Sequence, residues 1–280
     1  MMKISIFFKD LLVNNLAQKL TPKFYIRLML IYGWIFRILG NKEALKNVEQ
    51  IENAPGCYRL SFWNKENWLM INPIRINRYL KGIDYAGMRI YERYKLQDTM
   101  KVQITEKYFV DVGANVGELS YYFARRDFSV FCFEPDPIVS SLLIENMKKF
   151  QNVKVSTDAL GNKKGRLTLY LKSDSADTSL VDSGHHTSTS QTRVIRFDEH
   201  EFSSITTASA ILKVDAEGFE PEVIAGFGGV VNKFAVIAVD CGMERNGKST
   251  AFEVKKILNK FQRFEVHQYN DLMLLATFEA

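Results

Sequence analysis

Residues 108–117 read Tyr-Phe-Val-Asp-Val-Gly-Ala-Asn-Val-Gly. A short apolar run ends at a first glycine, Gly113, and a helical pattern starts after a second, Gly117. A strand that turns through glycine into a helix brings backbone N–H groups close to a ligand at the helix N-terminus. The spacing is Gly-x-Asn-x-Gly, without the third glycine of the Gly-x-Gly-x-x-Gly dinucleotide fingerprint, which disfavours a nicotinamide oxidoreductase.

Downstream of this turn, short apolar strands alternate with helical patterns. Val130–Phe133 precedes a helix near 137–150, and Val153–Val155 follows. A hairpin-like pair, Arg166–Leu171 and Arg193–Phe197, flanks Ser173–Thr192, a polar stretch that reads as a mobile loop or lid. Ile211–Val214 precedes a helix near 219–226, and Phe234–Val239 one near 250–261. Phe264–Val266 and Leu272–Phe278 close the chain across the turn Asn270-Asp271, too short a link for a crossover, so one of the two runs antiparallel. The rest predicts a mainly parallel sheet covered on both faces.

Upstream, residues 1–50 read as helices, with Thr21 as N-cap, Pro22 in the first turn and Gly40-Asn41 as a stop. Cys57–Phe62 and Trp68–Ile71 read as strands, and 73–100 as helical, with Tyr79, Leu80, Ile83, Tyr91, Tyr94 and Leu96 as buried candidates. Three parts are expected: a basic helical segment (1–50), a hairpin with helices (51–107) and the α/β domain (108–280).

The 280 residues are 46% hydrophobic and 25% charged, which excludes disordered, collagen-like and coiled-coil classes. Cys57, Cys132 and Cys241 are odd in number and widely spaced, so neither a disulfide framework nor a cysteine zinc site is expected, and the chain reads as a reduced, cytoplasmic protein. The net charge of +5 is uneven: residues 1–100 carry 16 Lys/Arg against 8 Asp/Glu, residues 101–280 carry 21 against 24. With the basic excess confined to one end and no nucleic-acid-binding signature, no nucleic-acid partner is expected.

That basic end also contains the most apolar stretch, residues 24–39, whose longest uncharged run, Leu28–Phe36, is about half of what a bilayer span needs. No secretory signal is read at the start. The preferred reading is a helix packed through its Leu, Ile and Phe side chains. The second is peripheral membrane contact, for which Lys19, Lys23, Arg27 and Arg37 beside Tyr25, Tyr32 and Trp34 are suited.

Two further features follow the glycine turn in order. Glu134 stands 23 residues after Asp111, where an acid accepts hydrogen bonds from ribose hydroxyls, and Pro135 and Pro137 stiffen its loop. Asp158-Ala159 follows the next strand, where a carboxylate and a backbone N–H can read an adenine. Each has a plain structural alternative: a strand–helix turn, an N-cap, a solvated loop acid. Together, each at the C-terminal end of a strand, they point to a nucleoside-containing cofactor.

Asp111-Val-Gly-Ala-Asn-Val-Gly117, Phe133-Glu-Pro-Asp-Pro137 and Leu212-Lys-Val-Asp-Ala-Glu-Gly218 resemble, in order and spacing, the motifs of the FkbM family of S-adenosylmethionine-dependent methyltransferases. The resemblance runs from about Tyr79 to Phe278. It implies a class I, Rossmann-like α/β fold: a seven-stranded, mostly parallel sheet with a terminal antiparallel strand. It also implies that the Asp111–Gly117 turn, with Gly113 and Asn115, holds the methionine end of S-adenosylmethionine, Glu134 its ribose, and Asp158-Ala159 its adenine. The family often has Asn-Ala at the last position, and commonly Glu where this chain has Asp240-Cys241.

Methyl transfer needs acceptor, methyl and sulfur in line, and a hydroxyl acceptor must lose its proton to a base within about 3 Å. Asp215 is the first candidate for base or orienting group, Glu217 the second, and Lys213 can orient an anionic acceptor. The alternative for these three is a salt-bridged structural cluster. His185, His186 and His267 are lesser candidates for the base. Asp215, Glu217 and Asp240 have oxygen ligands suited to Mg²⁺, but their spacing requires no metal and none is expected. The leading function is O-methylation of a hydroxyl on a sugar, glycan or small natural product. The alternatives are N-methylation of a peptide amide or amine, and a non-catalytic scaffold.

Overall fold

Strands β10 (Ala210–Val214) and β11 (Phe234–Asp240) are buried at every residue, as a parallel strand covered by helices on both faces must be. The computed structural model describes residues 20–52, 54, 56–97, 107–172, 178–182, 184, 186–204, 210–261, 264–269 and 273–278. The chain forms two compact units, residues 1–86 and 87–280.

In the second unit β10 and β11 lie at the middle of a seven-stranded sheet. Its other members are β4 (Tyr108–Val112), β5 (Ser129–Phe133), β6 (Val153–Ser156), β12 (Phe264–Tyr269) and β13 (Met273–Phe278). The order is β12-β13-β11-β10-β4-β5-β6, and β13 alone runs antiparallel to both its neighbours. This is the class I methyltransferase arrangement that the resemblance implied. The order reverses between β4 and β10, and the C-terminal edge beside such a reversal is where open α/β sheets bind ligands. Helices α3 (Glu118–Ala124), α4 (Pro137–Met147), α5 (Glu220–Gly226) and α6 (Ala251–Leu258) connect the strands.

One core joins Val110, Leu212, Val214, Ile237, Val239 and Leu274 to Phe197, Phe227 and Phe234. Phe197 stacks on Phe227 with centroids 4.2 Å apart. A small second sheet is formed by β7 (Ala159–Leu160), β9 (Ser188–Ile195) and β8 (Gly165–Leu171) in that order. Here the structure corrects the expected lid: Ser188–Thr192 belongs to β9, paired antiparallel from Leu171↔Ser188 through Leu167↔Thr192. Ser-Thr-Ser-Gln-Thr shows no apolar alternation, so the pairing leaves no mark in the pattern. Phe197, expected at the end of that strand, starts a 3₁₀ turn instead. The Asn270-Asp271 turn and His185 lie outside the described residues.

In the first unit α1 (Pro22–Ile38) begins after Thr21 with proline in its first turn, and Gly40, at φ 94°, ends it. Its buried stripe is Tyr25, Met29 and Gly33. Gly33 has to be glycine, because a Cβ there would lie 2.2 Å from the Leu45 carbonyl oxygen. The Tyr25 hydroxyl donates to the Ile74 carbonyl at 3.0 Å. Helix was expected to residue 50, but β1 (Leu45–Gln50) is a strand, antiparallel to β2 (Cys57–Phe62), which pairs with β3 (Asn67–Ile71). Leu-Lys-Asn-Val-Glu-Gln has no strong preference, and the β2 edge decides it. Within the expected helical stretch 73–100 the described residues form a 3₁₀ segment, Pro73–Tyr79, followed by α2 (Ile83–Arg93), in which the boundary between the units falls, and 98–100 lie outside the described residues. Tyr79, Leu80, Ile83, Tyr94 and Leu96 are buried as expected, and Tyr91 is half-buried.

Truncating Phe197 to Ala removes a fully buried ring from the aromatic stack. It is expected to lower the unfolding free energy by about 3–5 kcal/mol, measured as a shifted urea midpoint at unchanged m-value.

Candidate active site

The motif residues converge on the C-terminal edge of β4, β5 and β10. At the end of β4 the chain turns at Gly113, φ 69°, and the Asp215 carbonyl oxygen lies only 1.8 Å from where a Cβ would stand. Two backbones therefore touch here, and glycine alone permits it. Asp215 N–H donates to Val112 O at 3.1 Å, tying the third motif to the first.

Between them lies Lys213, 5% exposed. Its ammonium donates to Gly113 O at 2.6 Å and Val112 O at 3.1 Å, and pairs with Asp111 Oδ1 at 3.2 Å. Burial pulls the Lys213 pKa down, but the charges of Asp111 and Asp215 outweigh it and hold it above its ordinary value. Two of its protons go to backbone carbonyls, and the Asp111 carboxylate supplies the counter-charge. The side chain expected to orient an acceptor holds the glycine turn in this structure. Asp111, also buried, accepts from Ser120 Oγ at 2.6 Å through Oδ2.

Asn115 has left-handed backbone, φ 53°, and its N–H donates to Glu134 Oε2 at 2.9 Å. Glu134 Oε1 accepts from Asp136 N–H at 3.1 Å. The N-cap role, the structural alternative for Glu134, belongs to Asp136, which accepts from Ile138 and Val139 N–H at the start of α4. Burial pushes the Glu134 carboxyl up to about 7, against the two N–H bonds and the Lys213 charge that lower it. A carboxylate oxygen has two lone pairs, so each Glu134 oxygen can still accept a ribose hydroxyl.

Asp158, at the end of β6, is held by Arg193 of β9, whose Nε donates to Oδ1 at 2.6 Å and whose Nη2 donates to Oδ2. Ala159 is the first residue of β7 and is buried. Arg193 belongs to no motif, and it is the β7–β9–β8 sheet that brings it to Asp158.

Asp215 Oδ2 accepts from the Tyr94 hydroxyl at 2.6 Å. Tyr94 is buried, and desolvation together with the Asp215 charge holds its pKa well above the ordinary value, so it stays a proton donor in this bond. Asp240, at the end of β11, is paired with Arg93, whose side chain is 59% exposed. Burial and the neighbouring Asp215 charge push Asp240 up to about 6 despite Arg93. Tyr94 was expected only as a core residue and Arg93 not at all, since neither belongs to a motif.

Glu217 has left-handed backbone, φ 49°, unusual for a residue with a long side chain. Its carbonyl accepts from Ser179 Oγ at 2.6 Å, and Thr178 Oγ1 donates to Asp136 Oδ2 at 2.6 Å, so part of the expected lid is anchored on both sides of the site. The loop bearing Asp215 and Glu217 is closed by Glu220, whose Oε1 accepts from Ala216 and Gly218 N–H and whose Oε2 accepts from Thr250.

His186 lies 3.2 Å from Asp182, and its ring packs at a tilt against Tyr170. His267 pairs with Glu265 on the edge strand β12, separated from β10 by two strands, and is not part of this group. Among the described residues no three His, Cys, Asp or Glu side chains are grouped to hold a metal ion.

A strand-edge carboxylate beside a glycine turn, with a second acid at the next strand, fits a nucleoside cofactor, and the sheet is that of a class I methyltransferase. The profile of the methyltransferase FkbM domain matches residues 111–279. The chain belongs to the FkbM methyltransferase family, and S-adenosylmethionine is its cofactor.

Among solved structures the chain is similar to precorrin-6y C5,15-methyltransferase of Geobacter metallireducens (12% identity, 67% of this chain and 89% of that one, TM-score 0.38). It is also similar to magnesium protoporphyrin IX methyltransferase of Synechocystis with bound S-adenosylmethionine (13%, 70% and 79%, TM-score 0.39). A third is Aeropyrum pernix fibrillarin with S-adenosylmethionine (11%, 83% and 99%, TM-score 0.38). No curated protein matches the sequence. The family assignment rests on the profile.

Replacing Gly113 by Ala sets a methyl group against the Asp215 carbonyl at a left-handed φ. A loss of at least about 2 kcal/mol in stability is expected, with loss of S-adenosylhomocysteine binding by titration calorimetry.

Proposed function

We propose that this methyltransferase methylates a hydroxyl group, on a sugar, glycan or small natural product, with Asp215 as the base. The observation that carries this reading is the Tyr94–Asp215 hydrogen bond beside the glycine turn. A hydroxyl is a poor nucleophile until its proton is taken, and a carboxylate fixed in one orientation can take it as the new bond forms. Tyr94 binds Oδ2, and Oδ1 accepts no hydrogen bond among the described residues, so Oδ1 is the atom that receives the proton.

When bound, the cofactor supplies an electrophilic methyl group on a sulfonium. The chain's own residues do the rest. The Asp111–Gly117 turn, with Gly113 and Asn115, is assigned to the methionine end and Glu134 to the ribose. Asp158 and Ala159 are assigned to the adenine edge, with Arg193 sharing the Asp158 carboxylate. Lys213 neutralises Asp111 and fixes the turn. Glu217 is the second candidate to face the acceptor, and Arg93 keeps Asp240 paired beside Asp215.

The test is to supply labelled S-adenosylmethionine with sugar, hydroxylated natural-product and peptide acceptors. Label on a hydroxyl oxygen supports the reading, and label only on peptide nitrogen replaces it with N-methylation. With a working acceptor, Asp215→Asn is expected to bind S-adenosylhomocysteine normally and to lose about 10²–10⁴-fold in kcat. Equal loss of binding would remove Asp215 from the chemical step.

Glu134 gives a pH prediction. Its free pKa is raised to about 7, and ribose hydroxyls donate to the ionised form, so binding lowers that pKa. Affinity for S-adenosylhomocysteine should therefore rise with pH from 6 to 8, by up to about tenfold, and Glu134→Gln should flatten the rise.

A further inference from the structure

Helix α1 turns a buried stripe inward and an apolar stripe outward. Opposite Tyr25, Met29 and Gly33 stand Phe24, Ile31, Trp34, Ile35 and Ile38, all exposed, with Phe24 at 55%, Trp34 at 58% and Ile38 at 62%. The outward face of a helix on a soluble unit is ordinarily polar, and a contiguous apolar one marks a contact surface.

The charges around this face are of one sign. Lys23, Arg27, Arg37 and Lys42 are exposed on α1 or just after it, and the sequence has no acid between Asp10 and Glu43. Arg37 and Lys46 both lie over the exposed Trp63 ring, 5.8 and 5.3 Å from its centroid, which extends the cationic, aromatic rim to β1 and β2. No helix among the described residues is long and apolar enough to cross a membrane. At 17 residues and about 25 Å, α1 has the dimensions of a helix lying in an interface rather than through it.

We propose that the outward face of α1 docks on an anionic phospholipid surface, with Phe24, Ile31, Trp34 and Ile38 entering the headgroup boundary and Lys23, Arg27 and Arg37 meeting lipid phosphates. Charge decides between occupants. A second copy of this chain would bring the same cations against each other, whereas an anionic leaflet neutralises them. Tryptophan on the apolar face suits the depth at which indole rings settle in a bilayer. This inference is independent of the methyl-transfer chemistry.

The experiment is co-sedimentation of the full chain with phosphatidylcholine vesicles, with and without about one-third phosphatidylglycerol. Partition should be at least about tenfold stronger with the anionic lipid, should fall in high salt, and should come with a blue shift of tryptophan emission. Trp34→Glu with Ile38→Glu should abolish partition while leaving the melting temperature and S-adenosylhomocysteine affinity unchanged, since both side chains already face solvent. Equal partition to neutral vesicles, no partition, or unaltered partition of the double variant overturns the proposal. So does a dimer in sedimentation velocity that the double variant dissolves in the absence of vesicle binding, which would assign the face to self-association.

Discussion

The Lys213 ammonium, buried between β10 and β4, is the point on which the rest of the site depends. One group binds the carbonyls of Val112 and Gly113 and pairs with Asp111, and it emanates from the strand that leads into Asp215. A charge buried this deeply persists only when its protons and counter-charge are satisfied, and breaking such a pair typically costs 3–5 kcal/mol, roughly, because it strands the partner. Lys213 thus locks the glycine turn to the loop that carries the proposed base. The close approach of Asp215 O to Gly113 is the geometric counterpart of that lock.

From there the site is a set of carboxylates, each kept by a different partner. Asp111 has Lys213 and Ser120, Glu134 has two backbone N–H groups, Asp158 has Arg193, Asp215 has Tyr94, Asp240 has Arg93 and Glu220 has two N–H groups and Thr250. So many acids at one sheet edge would repel one another unpaired. Burial already lifts Glu134 and Glu220 to about 7 and, with the charge of Asp215, Asp240 to about 6. The same negative surroundings favour a cationic sulfonium, which is the ligand such a cluster is suited to hold.

The three motifs could be read from the chain because each is local: a strand end, a turn and a helix start occupy seven or fewer consecutive residues. The parallel strands were readable for the same reason, as continuous apolar runs such as Phe234–Val239. What could not be read were pairings between distant segments. β9 from Ser188 to Thr192 is polar on both faces and is a strand because β8 lies beside it, and β1 is one because of β2. Tyr94 and Arg93 precede the family domain and meet Asp215 and Asp240 across more than a hundred residues.

The sequence by itself determined the fold class, the family and the order of the cofactor motifs, since strand period, glycine placement and motif spacing are properties of neighbouring residues. Tertiary structure decided what each charged side chain does. Lys213 and Asp158 look equally available in the sequence, but folding gives Lys213 two carbonyls and the charge of Asp111, and Asp158 an arginine. A charged group takes its role from the partners that burial forces it to find, and those partners lie elsewhere in the chain.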